Sequence, residues 1–235
     1  MSNEWPNDFL SPSKALSLWD GVYEYYVDKT LGDDDNKGLA VGAGHAFKTI
    51  GKFRDILEAG KLMPNNSMGG TPIKLHIADG DYSGEGTIKF PLMPANYLEL
   101  MGNSGAPANV ILPAIVFTGY GITLEYLTLK PTNNYALKAD ITHNAGVYGV
   151  ICTEADAVYS GLRIDSGLGI INGCTISNRA DAIVGSYGAR IFSVNCGGTG
   201  NTVGLHADAM THIRKSGTQP AGTTAEVMSD GGLID

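Results

Sequence analysis

Apolar and polar residues alternate with period two in short runs along most of the chain. In Ile73-Lys-Leu-His-Ile77 the odd positions are apolar and Lys74 and His76 polar, as on a strand with one face buried. Similar runs fall at residues 22–27, Ile88–Phe90, Tyr97–Met101, Val110–Leu112, Ile115–Phe117, Ile122–Leu129 and Tyr135–Ile141, with Gly, Pro and Asn in the gaps. One stretch has another period. From Ala46 to Ala59, residues Phe47, Ile50, Phe53 and Leu57 share a helical face, and Gly60 follows in the usual C-terminal position. Beyond residue 148 a repeat emerges. Cys152, Cys174 and Cys196 are 22 residues apart, as are Tyr148, Ile170 and Phe192, and Val150, Asn172 and Val194. A constant period without helical patterning predicts coils stacked into a parallel β-helix, equivalent residues lying about 4.8 Å apart. The helix is then expected to cap the open first coil, and Val227, Leu233 and Ile234 to add a closing strand.

Three units follow: an attachment arm over residues 1–20, a strand and capping helix over 21–62, and the β-helix over 63–235. Glycine is abundant, at 32 of 235 residues, and charged residues are sparse at 17%, which suits a turn-rich β fold. A net charge of −8 argues against nucleic-acid binding. No run of 18 apolar residues is present, so no membrane insertion is expected, and the first residues lack the pattern of a secretory signal. Three cysteines cannot all pair, and the repeat turns them into an inward column of buried, reduced thiols.

The order Tyr25-Tyr-Val-Asp28, Gly32-Asp-Asp-Asp-Asn-Lys-Gly-Leu39, Phe47-Lys-Thr-Ile50, Ile77-Ala-Asp-Gly-Asp-Tyr82 and Leu98-Glu-Leu-Met-Gly-Asn103 resembles the opening of the pectate-lyase-like parallel β-helix proteins of bacteriophage tailspikes and virion spikes. Asn195-Cys-Gly-Gly-Thr-Gly-Asn-Thr-Val-Gly-Leu205 and Gly217-Thr-Gln-Pro220 are similar to their closing segments. The resemblance implies an all-β, single-stranded, right-handed parallel β-helix with an N-terminal capping α-helix. It also implies a virion structural protein (spike, fibre or tailspike subunit), assembled in the host cytoplasm, whose β-helix meets host surface glycan. The same fold carries hydrolases, lyases and adhesins, so a polysaccharide-degrading tailspike is the alternative. Relatives that cleave glycans are usually longer, which favours the structural reading.

Glycan cleavage needs paired carboxylates about 5–9.5 Å apart. On a 22-residue step Glu154 stacks on Ile176, Asp156 on Asn178 and Asp165 on Tyr187, so the acids form no column and no catalytic residue is assigned. Glu154, Asp156, Arg163, Asp165, Asp181 and Tyr187 are expected to contact glycan, with turn formation the competing role of the acids. The histidines lack metal-ligand spacing; His206 and His212 with Asp208 come closest. No serine elbow is present. Asp33–Asp35 offers oxygens to calcium but lacks the EF-hand loop spacing and reads as a solvated turn. No metal or cofactor is expected.

Two expectations concern partners. On Ile122–Leu129, residues 122, 124 and 126 take one face while Leu127 and Leu129 take the other, and a strand apolar on both faces is covered on both. With the resemblance, this points to a homotrimer. Trp5, Leu10, Leu16, Leu18 and Trp19 lie outside the repeat and are expected to fix the protein to other virion proteins.

Overall fold

The computed structural model describes residues 23–59, 72–91 and 93–235. The arm residues Trp5, Leu10, Leu16, Leu18 and Trp19, and Gly60, lie outside these. The described strands wind into a parallel β-solenoid of about seven turns, consistent with right-handed coiling.

Each full coil has three faces. The first face stacks β4 (Ile88–Lys89), the starts of β7 (Ile115–Glu125) and β9 (Leu137–Tyr148), β11 (Leu162–Asp165), β14 (Asp181–Ser186), β16 (Asn201–Ala207) and β18 (Gly222–Met228). The second stacks β1 (Tyr23–Val27), β2 (Ile73–Ile77), the end of β5 (Met93–Met101), the ends of β7 and β9, β12 (Leu168–Asn172), β15 (Arg190–Val194), β17 (His212–Ser216) and β19 (Leu233–Ile234). The third stacks β3 (Gly80–Asp81), β6 (Val110–Leu112), β8 (Thr128–Leu129), β10 (Ile151–Cys152) and β13 (Thr175–Ile176). Alternate residues of every face fill one lumen with side chains such as Phe117, Leu162, Leu124, Ile171 and Leu129, all fully buried. Burying each contributes about 1.5–3 kcal/mol.

Corners, not cysteines, carry the repeat. Between the second and third faces the coils from β7 onward turn at one residue with positive φ: Tyr126, Gly149, Gly173, Asn195 and Gly217. Glycine and asparagine accept this left-handed geometry most readily. Between the first and second faces, the later coils turn on two such residues each: Ser166-Gly167, Tyr187-Gly188, Ala209-Met210 and Asp230-Gly231. These pairs project as a ridge.

Three expectations need correction. Cys152 is opposite Ile176, a step of 24, whereas the next coil steps by 22 from Thr175 to Gly197. Cys174 and Cys196 therefore stack, while Cys152 stands two residues out of their column. Likewise Tyr148 is opposite Asn172, not Ile170. All three thiols are buried and free. Burial pushes the Cys152 thiol up to about 11; its hydrogen bond to Cys196, and then burial, hold Cys174 well above the ordinary value. Finally, Leu127 and Leu129 do not face outward. Tyr126 has φ 53°, the chain turns there, and both leucines enter the lumen as fully as Ile122 and Leu124. That strand gives no reason for a covering neighbour.

The capping helix, α1 (Ile50–Glu58), begins four residues later than the apolar pattern suggests, because Thr49 caps it by accepting from the Lys52 amide at 3.1 Å. Phe47 instead bridges to Val27. Phe53 packs 5.6 Å from the Tyr25 ring of the terminal strand and 6.4 Å from Phe90, closing that end of the lumen. Glu85 accepts from the Ile50 and Gly51 amides (3.2 and 2.8 Å), and Asp34 from the Lys48 and Thr49 amides and the Thr49 hydroxyl. The acidic run is thus a tether for the cap. At the other end β19 forms, and Lys215 pairs inside the opening with Glu226, whose strand positions lie opposite the lumen residues Ser193 and Leu205. Inward charges at a sheet's end discourage further strands from adding.

Candidate functional site

The residues nominated from the sequence do not converge. Glu154 is exposed, 3.8 Å from Lys130, and does not stack on Ile176, which is opposite Cys152. Asp156 bridges to Arg179, not Asn178, and accepts from the Val158 and Tyr159 amides. Its role is to hold a corner. Arg179, itself buried, donates to the Asn134, Glu154 and Ser160 carbonyls and lies 3.9 Å from the Asp156 carboxylate. Asp165 is opposite Ser186 and Asp140, not Tyr187. Two carboxylates therefore do align, on a step of 25 that a fixed 22-residue register misses. Asp165, however, is only 4% exposed and is held by Arg163 at 2.8 Å and Lys138 at 3.7 Å. Its oxygens are taken up by these ion pairs and almost none of the residue faces solvent, so little of it is open to a glycan. Arg163 is further fixed over the Tyr135 ring. Asp181 accepts from Ser160 and meets His206. Tyr187 stands 68% exposed on the ridge.

Beside that ridge, on the outer surface of the second face, lies a groove of about 400 Å³. Gly188, Arg190, Phe192, Met210, His212 and Arg214 line it. The sheet register builds it directly: Arg190 is opposite His212, and Phe192 opposite Arg214. Ile191 and Ile213 between them point into the lumen, so the alternation sends the two arginines and the phenylalanine outward. Among the described residues neither Arg190 nor Arg214 has an ion-pair partner, while His212 meets Asp235 at 2.9 Å. Phe192 is 40% exposed and Met210 76%. An apolar floor between forked cations suits a sugar ring carrying anionic groups: the ring packs on the aromatic and the guanidiniums take its oxygens in pairs. A smaller cavity of about 210 Å³, lined by Tyr26, His76 and Met101, lies near the capped end and lacks such free cations.

Of the residues nominated for glycan contact none lines the groove, although Tyr187 directly precedes Gly188; Arg190, Phe192, His212 and Arg214 were not nominated for it. The signal was present, because each stacked pair is separated by 22 residues. Among the described residues no group of three or more His, Cys, Asp or Glu gathers as metal ligands would; His206 and His212 sit on different faces. No protein-family model, curated protein or solved structure matches the chain.

Proposed function

We propose that this chain is a structural subunit of a phage-type particle, a spike, fibre or tailspike subunit, whose β-helix holds a host surface glycan without cutting it. The groove of Arg190, Phe192, His212 and Arg214 carries the glycan part of the reading, since it offers unpaired cations and apolar surface on a protein of net charge −8. The particle part rests on the resemblance of the opening and closing segments, as does assembly as a homotrimer. Attachment to other virion proteins falls to residues 1–20, with assembly in the host cytoplasm. Deleting residues 2–18 tests this part: the truncated protein is expected to stay folded and trimeric but no longer join particles. Full-length protein that scatters light as a stable monomer, or truncated protein that still joins particles, would refute it.

The alternative, a polysaccharide-degrading enzyme, draws on the alignment of Asp140 with Asp165. The two cations on Asp165 weigh against it. Glycan sizing after incubation separates the two readings, because only an enzyme shortens the chains.

A further inference from the structure

Across the ridge from the groove, on the outer surface of the first face, five side chains from successive coils form a continuous polar chain. The Ser160 hydroxyl donates to one oxygen of Asp181 at 2.8 Å, and the other oxygen of Asp181 lies 3.2 Å from Nδ1 of His206. On the far side of the ring, Nε2 lies 3.3 Å from the Ser229 hydroxyl, which reaches Asp208 at 2.7 Å. Acid on Nδ1 and hydroxyl on Nε2 is the connectivity of a nucleophilic serine, its base, and the carboxylate that orients the base. The scaffold is rigid: Asp181 starts β14, His206 lies in β16, and Ser229 follows β18, its amide bonded to Ala207.

We infer that Ser229, His206 and Asp181 form a hydrolytic centre for uncharged carboxylic esters with a small acyl group, such as acetyl esters on a carbohydrate. Asp181 holds the Nδ1 hydrogen of the neutral imidazole, which leaves Nε2 as an acceptor aimed at the Ser229 oxygen. The hydroxyl hydrogen has two acceptors in reach, and rotation about the Cβ–Oγ bond alone moves it from Asp208 to Nε2. Oγ then bonds to the acyl carbon while its proton passes to Nε2. As the tetrahedral intermediate collapses, the carbon–oxygen bond to the alcohol breaks and Nε2 returns the proton to the leaving oxygen. Solvent water, deprotonated by Nε2, attacks the acyl-serine. The carboxylic acid departs and Oγ recovers a proton, so the net change is ester plus water to acid plus alcohol.

Two features fix the substrate class. Asp208 sits directly on the hydroxyl and Asp181 lies across the imidazole ring, so an anionic acyl group is repelled. The turn after Ser229 carries Asp230 and Gly231 at φ 46° and 81°, and neither amide has a hydrogen-bond partner among the described residues. Free amides immediately beyond the nucleophile are the donors an acyl oxyanion requires. The inference stands apart from glycan retention, since ester removal leaves a polysaccharide backbone intact.

The test is labelling of the folded full chain with a fluorophosphonate, followed by peptide mapping and by p-nitrophenyl acetate hydrolysis. One adduct on Ser229 is expected. It should be absent in Ser229→Ala and slowed about a hundredfold or more in His206→Gln, with His206→Asn as a second variant should the first unfold. Wild-type protein that takes no adduct at Ser229, or labelling equally fast in a folded His206 variant, would overturn the inference. Glycan binding that persists when labelling fails would leave the groove unaffected.

Discussion

Replacing Arg179 by Met is expected to be the most damaging single change outside the lumen. The guanidinium has no exposure, and it joins three consecutive coils at one corner by donating to the Asn134 carbonyl at 2.6 Å, Glu154 at 3.1 Å and Ser160 at 3.2 Å. A methionine fills similar space but leaves three carbonyls without donors, each costing about 1–3 kcal/mol if water cannot enter. It also strips the cation from beside Asp156, whose side chain is 10% exposed. Removing one partner of a buried charged pair costs about 3–5 kcal/mol, and we expect a loss in that range, since relief of the arginine's own desolvation offsets part of the carbonyl penalty. Arg179→Lys should recover less than half, because one ammonium cannot span three carbonyls that a planar fork reaches. Urea denaturation gives the difference from the midpoint and slope. In a solenoid the damage should be local, so hydrogen exchange should quicken first around residues 134, 154–160 and 179. An Arg179→Met protein within about 0.5 kcal/mol of wild type would refute the reasoning.

Three further outcomes are expected. Tyr82→Phe should cost about 1–3 kcal/mol, measured by the same denaturation, because the buried hydroxyl accepts from the Lys29 amide and donates to the Ala78 carbonyl. The thiols of Cys152, Cys174 and Cys196 should react with a maleimide only as fast as the protein opens; rapid labelling of the folded chain would contradict their burial. Glu85 carries a pH signature: burial raises its carboxyl pKa above the ordinary 4.5 despite the two helix amides it accepts. A raised folded-state pKa means a stabilising contribution that is complete below the unfolded value and lost as pH rises through the folded one. Wild type should therefore lose stability relative to Glu85→Gln as pH rises above the ordinary 4.5, and a gain on that rise would contradict the assignment.

The strand runs, the cap and the coiling were legible because period-two alternation and one amphipathic segment survive any error of register. What misled was the equal spacing of the cysteines. Gly149, Gly173 and Asn195 mark the true corner, and Cys152 stands three residues past its corner while Cys174 and Cys196 stand one past theirs. A longer coil between 149 and 173 absorbs the difference. The faces of Leu127 and Leu129 were misread because Tyr126, a residue with no special tolerance for positive φ, makes the turn. The groove could be read as stacked pairs, Arg190 with His212 and Phe192 with Arg214, once the 22-residue step is applied beyond the cysteines. The chain from Asp181 through His206 to Ser229 was not legible. Its contacts run diagonally between coils, where register partners such as Val184 opposite His206 give no hint of them.

The most direct measurement of the central claim is retention of acidic host-surface polysaccharide by the purified protein, with sizing of the polysaccharide afterwards. Wild type should retain it, with affinity falling as salt is raised, and the Arg190→Glu/Arg214→Glu double variant should retain it at least about tenfold less tightly, since two anion contacts are reversed. The recovered chains should keep their length. Equal retention by the double variant, no retention by wild type, or the appearance of oligosaccharides would contradict the claim.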